Sequence, residues 1–436
     1  MTARESTSDV FAHLYRRAGF GATQAEIDAA ERLGYDAAVD GLLDGLRAPD
    51  IAGSALEMPH LTPLAQSSIP GFTYDDYSEF IALSTWWIDR MVVTDTPLRE
   101  KLVLLLHGQF PTSYEKVGYA DLMYNQNQLF RTLGAGSFDA LTQAVAQDPA
   151  MLVWLDTGTD YRAHPNENFA RELMERFTMG IGTYTETDVR EAARAFTGWT
   201  LDYTTGDFFF NSYDHDNGEK TFLHHTGRLQ GSDIIDIATH TPASSRWVVA
   251  RFWSWLAYPV TTDDPVVAEI AGDYSKDLDM SKLLEAILRH PSFVSTKAIN
   301  GLVKQPIEYL IGTLRLLGLR TTAFEEGSLV WLLASLGQQP FAPPSVGGWG
   351  QNQYWLSTAA SNSQLALAWT VSQYADLTEV ADLSGSPGAQ VDAITRMLAL
   401  DSWSDESYRA LWKIADKGSA QELLVLALVS PEYLLN

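Results

Sequence analysis

The sequence predicts an all-α fold: a large two-lobed globular body of many helices with one small β-hairpin insertion. Three observations predict it. Apolar residues recur at helical spacing along most of the 436 residues, N-caps and glycine stops bracket those runs, and β-type sequence is confined to one stretch near the middle. Helix is therefore expected over more than half of the chain. The lobes are expected at 1–242 and 243–436, or as one continuous domain.

In chain order, "TQAEIDAAERLGYDAAVDGLLDGL" reads as two short helices, with Thr23 as N-cap, Glu26 at the capping-box position and Gly34 as a stop. Residues 48–75, rich in Pro, Ser and Gly, read as an irregular connection. "YSEFIALSTWWIDRMVVT" and "PLREKLVLLLHGQF" give two more helices, the second opened by Pro97 and ended near Gly108. "HPNENFARELMERF" places His164 as N-cap, Pro165 first and Glu167 third, with closure at Gly180. Thr185 and Asp188 open the next helix and Gly198 stops it. In "LDYTTGDFFFNSYDHDNGEKTFLHHTG" two aromatic or β-branched runs flank Asn217-Gly218, so a hairpin near 207–223 is expected to turn there. Helices return from about residue 243. They are interrupted by "FAPPSVGGWGQNQYWL" (341–356), which is either a wall of a site or a packing plug.

Composition narrows the function. A net charge of -25, from 30 Lys+Arg against 55 Asp+Glu, repels phosphate backbones and anionic lipid surfaces, so nucleic acid is not an expected partner. With no cysteine, thiolate nucleophiles, Cys-ligated zinc and disulfides are excluded. No apolar leader and no membrane span is visible, which makes the cytoplasm the default compartment, with export on a signal-bearing partner as the alternative. HExxH, GxSxG, Walker A and a GxGxxG opening a βαβ unit are all missing.

The densest chemistry lies around residues 164–177. A helix N-terminus disfavours imidazolium, which leaves His164 neutral as a base or metal ligand. Glu167 and Arg171 are spaced for an i,i+4 ion pair; Phe169, Leu173 and Phe177 form an apolar stripe, and Asn168, Glu172 and Glu175 a polar one. Capping and surface pairing explain these spacings as readily as a site does. His107, in a run of Leu and Val, fits a core residue or a helix-end cap as well as a ligand. Asp214, His215 and Asp216 begin like a calcium loop, but its twelfth position is His225 instead of a bidentate Glu. Arg190 and Arg194 share a helix face suited to an anion or to neighbouring acids.

The blocks "HLYRRAGFGAT", "REKLVLLLHGQFPTS", "PAMLVWLDTG", "HPNENFARELMERFTMGIGTYTETDVREAARAFTGW", "HDNGEKTF" and "PPSVGGWGQNQYWL" together resemble the bacterial domain of unknown function 1800 family over most of the chain. The resemblance brings no established reaction. It implies a co-produced partner similar to metal-dependent sulfatases and phosphatases, often exported. Where the family commonly has a second His two residues after His107, this chain has Gln109, and His224 stands where Gly is commoner.

Two functions from different classes fit these residues. In the first, a central polar cleft gathers His107, His164, Glu167, His215 and Asp216 around a divalent metal ion. Glu172 then serves acid/base chemistry, and Arg171 and Arg194 grip an anionic or carbohydrate-like substrate. In the second, the chain is a non-catalytic binding or accessory partner of the co-produced metalloenzyme, with exposed aromatic loops such as that around Trp349 and Trp355.

Overall fold

The computed structural model describes residues 7–67 and 76–436. Residues 68–75 of the expected irregular connection lie outside the described residues. Helix takes up 61% of the chain, and among the described residues the strands form two small antiparallel pairs. Both expected capping boxes, Thr23 with Glu26 and Thr185 with Asp188, are formed.

The helices that position the site are α1 (Asp76–Val93), α2 (Pro97–Gln109), α3 (Ala120–Leu133), α4 (Glu167–Glu172), α5 (Glu186–Phe196), α6 (Pro242–Leu256) and α7 (Pro306–Leu316). Helix α2 is apolar around its circumference, so it is buried on all sides, as an unstriped hydrophobic run requires. It packs against α3, while α7 from the C-terminal half packs on α1, so both halves contribute to one core running from Phe11 to Tyr433.

The two charged residues that α2 buries, Glu100 and Lys101, are paired, since an unpaired buried charge is costly. Lys101 bonds Glu308 of α7. Glu100 receives Arg90 of α1 (2.9 Å) and Arg131 of α3 (2.6 and 2.8 Å).

Two local expectations are corrected. Asn166, not His164, caps α4, its side chain accepting from Asn168 N–H at 2.9 Å. The Asn166 N–H is held by Asp160 Oδ1 (2.8 Å) and its amide donates to Asp156 O (3.0 Å), which fixes it in an extended conformation and delays the helix by two residues. The expected hairpin turn at Asn217-Gly218 is also absent. Instead β1 (Trp199–Asp202) pairs with β2 (Asp207–Phe210), and β3 (Lys220–Phe222) pairs with β4 (His225–Gly227). Asp216, gripped by Arg194, accepts from Gly218 N–H (2.8 Å) and ties the Asn217 segment into a loop. The second turn falls at Leu223 and His224, both at positive φ. There Asp188 Oδ1 holds the Leu223 N–H (2.9 Å).

Helix α4 does not run on to Gly180 as a regular helix. Leu173–Thr178 forms a π turn, in which Met179 N–H reaches Met174 O at 2.9 Å. Gly180 N–H, which a regular helix would aim at Arg176 O, also bonds Met174 O (3.0 Å). The released carbonyls find side-chain donors: Trp247 Nε1 of α6 on Arg176 O (3.0 Å) and Gln109 Nε2 of α2 on Phe177 O (2.6 Å). The turn then closes at Gly180 (φ +79), where an added Cβ would lie 2.6 Å from the Trp247 ring. Gly180→Ala is therefore expected to destabilise the protein by about 2 kcal/mol or more, from a strained φ and a ring clash together, as read by urea unfolding.

Candidate functional site

The residues singled out in the sequence fall into three environments. His107 is buried inside a cage of Trp87, Phe130, Phe341 and Trp349, with ring centroids 5.2–6.2 Å away. Burial pushes its pKa down to about 3, so the ring is neutral, contrary to the cationic cap that its helix-end position suggested. Its Nε2 is buried with no hydrogen-bond partner. Trp349 and Trp355 are buried too, so these two rings of the 341–356 loop plug the core and are not exposed as expected, while Tyr354 of the same loop faces out. Gly348 (φ +77) is needed there, because a Cβ would lie 2.9 Å from Gly108 O.

Around α4 and α5 the charges are consumed by one another. Arg171 bonds Glu167 (3.1 Å) and both oxygens of Glu186 (2.8 and 2.9 Å), and these bonds, Glu186 foremost, raise its pKa. Arg194 bonds Asp216 (2.7 Å) and Glu191 (2.8 Å), and its guanidinium holds the Asp216 carboxyl below the usual carboxylate range. Neither arginine is left free to grip a substrate anion.

Glu172 differs. Its side chain is mostly shielded and its Oε2 has no hydrogen-bond partner, with Arg176 Nε no nearer than 3.9 Å. Burial first, then the adjacent Glu175 carboxylate, raises its pKa. Glu175 itself accepts from the Tyr184 hydroxyl (3.2 Å) and faces Arg176 (3.4 Å). Two carboxyl groups three residues apart thus sit in unlike surroundings at the entry to the π turn, an arrangement suited to acid/base work.

The third environment joins the loop before α4 to the β1–β2 hairpin. His215 Nδ1 lies 2.7 Å from Thr197 O, and because a carbonyl only accepts, Nδ1 is the donor in that contact. Its Nε2 is buried without a partner. Asp160 meets the same corner from the other side, its backbone oxygen accepting from Gly198 N–H at 3.0 Å. Burial raises the Asp160 carboxyl to about 7, with Oδ2 unpartnered. His164 is exposed and bridges to Tyr161. Around this corner Tyr161, Tyr203, Phe209, Phe210 and Tyr213 are each between 39% and 74% exposed, Phe209 and Phe210 on opposite faces of the hairpin, with Arg162 5.1 Å from the Tyr213 ring.

His107, His164, Glu167, His215 and Asp216 are not gathered into one ligand set, so the donors do not fit a single metal centre. Among the described residues the one trio of carboxylate and imidazole atoms within 4.8 Å of each other is Asp139, Asp236 and His240, largely exposed. Sequence reasoning missed that trio, Asp160 and the aromatic surface. The run "DFFF" was the available signal for the last, read as strand but not as solvent-facing.

Fold and site together define a helical protein with a charged helix and a small hairpin that carries exposed aromatic residues. The family profile described as Protein of unknown function (DUF1800) matches residues 13–435, and the chain belongs to that family. No curated protein and no solved structure matches it.

The raised Asp160 pKa makes a signed prediction. The folded state keeps a proton that the unfolded chain releases, so the stability from this group is full below the ordinary carboxyl range and is lost as pH rises through about 7. Asp160→Asn cannot ionise. It is expected to be more stable than the wild type by about 1–3 kcal/mol above neutrality, with the gap closing toward about pH 4, in denaturant titrations across pH.

Proposed function

We propose that this chain is a non-catalytic binding protein that receives an extended segment of a partner polypeptide on the open edge of β2. The observation that carries this reading is the aromatic hairpin. Asn211 N–H bonds Gly198 O (2.7 Å), and antiparallel pairing alternates, so Phe208 and Phe210 turn their backbone groups away from β1. Those groups have no backbone partner among the described residues. An edge left open beside exposed Phe209 and Phe210 would invite indiscriminate pairing unless a partner covers it, and strand addition satisfies both the backbone and the rings. The partner favoured is the co-produced, exported protein of the metal-dependent sulfatase and phosphatase class that the family resemblance implies.

A second reading rests on Glu172. Its unpartnered, shielded oxygen beside Glu175 supports a general acid in a catalytic role, the nearest surviving form of the metal-assisted enzyme.

Affinity capture from native cells separates the two. The wild type and Glu172→Gln are expected to retain one stoichiometric polypeptide, and Phe209→Asp, with an unchanged circular dichroism spectrum, is expected to lose it. Retention by folded Phe209→Asp sinks the edge-strand reading. Absence of any partner, with an enzymatic activity lost in Glu172→Gln, would establish the second.

A further inference from the structure

A groove of about 790 Å³ opens between α1, α3 and the segment around Leu46–Met58. Four arginines line it, Arg47, Arg90, Arg99 and Arg131, in a chain with 25 more acidic than basic groups. Asp50 is the one acidic residue in the lining, and Glu100 lies behind it, fully buried with both oxygens taken by Arg90 and Arg131. Asp95 lines the neighbouring groove instead. Its carboxylate nonetheless accepts from Ala52 N–H and its N–H bonds Asp50 Oδ1, so four guanidinium charges face three nearby carboxylates and the groove stays positive where the net field of the molecule is negative.

The four arginines divide by role. Each nitrogen of Arg90 is engaged, by Glu100, Gly53 O and Asp50, and each of Arg131 by Glu100 and Asn127 O. Both lie against the Trp86 ring, 5.7 and 5.8 Å from its centroid, which stiffens that wall. Arg99 is held through Nε and Nη2 by Thr96 and Ala48 O, and Arg47 by a single bond to Ser281. Arg99 Nη1 and the remaining donors of Arg47 are the ones with capacity for a ligand. Burial together with Arg90 and Arg131 works against the Arg99 charge, opposed by Asp50 and Glu100, so an incoming anion would relieve it. Trp86, buried, and Tyr124, set edge to face against it at 5.6 Å and 70°, close the apolar side of the groove.

We infer that this groove binds a phosphate monoester, its dianionic head between Arg47 and Arg99 and its ring or carbon body along the Tyr124 side. A positive groove holds a dianion more strongly than a monoanion, and the guanidinium forks suit tetrahedral oxygens. This site is separate from the β2 edge and does not depend on the function proposed for it.

Isothermal titration calorimetry of the full chain with phenyl phosphate tests it, with phenyl sulfate as a probe of one less charge. Saturable binding is expected, weakening as salt rises. Arg47→Gln and Arg99→Gln are expected to bind about tenfold or more weakly, while Arg289→Gln, on exposed ion pairs elsewhere, binds as the wild type does. Arg47 is exposed, so its variant keeps the fold and the comparison remains valid even if Arg99→Gln unfolds. No saturable heat, equal affinity in Arg47→Gln, or equal affinity for phenyl sulfate would overturn the assignment.

Discussion

The side-chain amide of Gln109 is the contact on which the arrangement of the polar helix depends. It is buried at the end of α2, donates to Phe177 O at 2.6 Å and accepts from Arg251 Nε at 2.7 Å. One amide thereby joins α2, the π turn and α6. Arg251 extends the junction, bonding Gly108 O (3.3 Å) and lying between the Trp247 and Trp255 rings at 5.5 and 4.7 Å. Trp247 in turn holds the second free carbonyl of the turn. A carbonyl released from helical pairing inside a core needs a donor, and here two side chains from two other helices provide them.

The chemistry of the surface follows from that junction. A π turn inserts one residue into the helical count, so side chains beyond it are rotated relative to a regular helix. Glu172 ends the regular part and Glu175 lies inside the widened part, which leaves one shielded without a hydrogen bond on Oε2 and the other bound to Tyr184 and Arg176. Across α5 the Arg194–Asp216 pair fastens the loop that carries His215, and the Thr197–Gly198 corner then sets β1 and β2 in place. The aromatic hairpin is thus presented by a rigid helical support.

Much of this was legible in the sequence where the signal is local. Capping boxes at Thr23 and Thr185 depend on residues three apart, and the uniform burial of α2 follows from an unbroken apolar run. The Glu167–Arg171 pair likewise needs only helical spacing. What failed was set by tertiary contacts. His164 lost the cap because Asp160 and Asp156 hold Asn166, and no periodicity reports such a bond. The hairpin turn moved because Arg194 and Asp188, from another element, hold Asp216 and Leu223. His107 and Trp349 looked like separate features in sequence, yet they pack 5.2 Å apart in the interior. The π turn was invisible for the same reason, since its donors come from residues 109 and 247.

A double-mutant cycle on Gln109→Leu and Trp247→Phe, read by equilibrium denaturation, tests whether these two side chains hold the turn as one unit. If they do, either substitution alone releases most of the turn and the second adds little. The coupling energy is then expected to reach about 1 kcal/mol or more. Effects that add to within about 0.3 kcal/mol would contradict it, and the π turn would then be held by its own backbone and not by its neighbours.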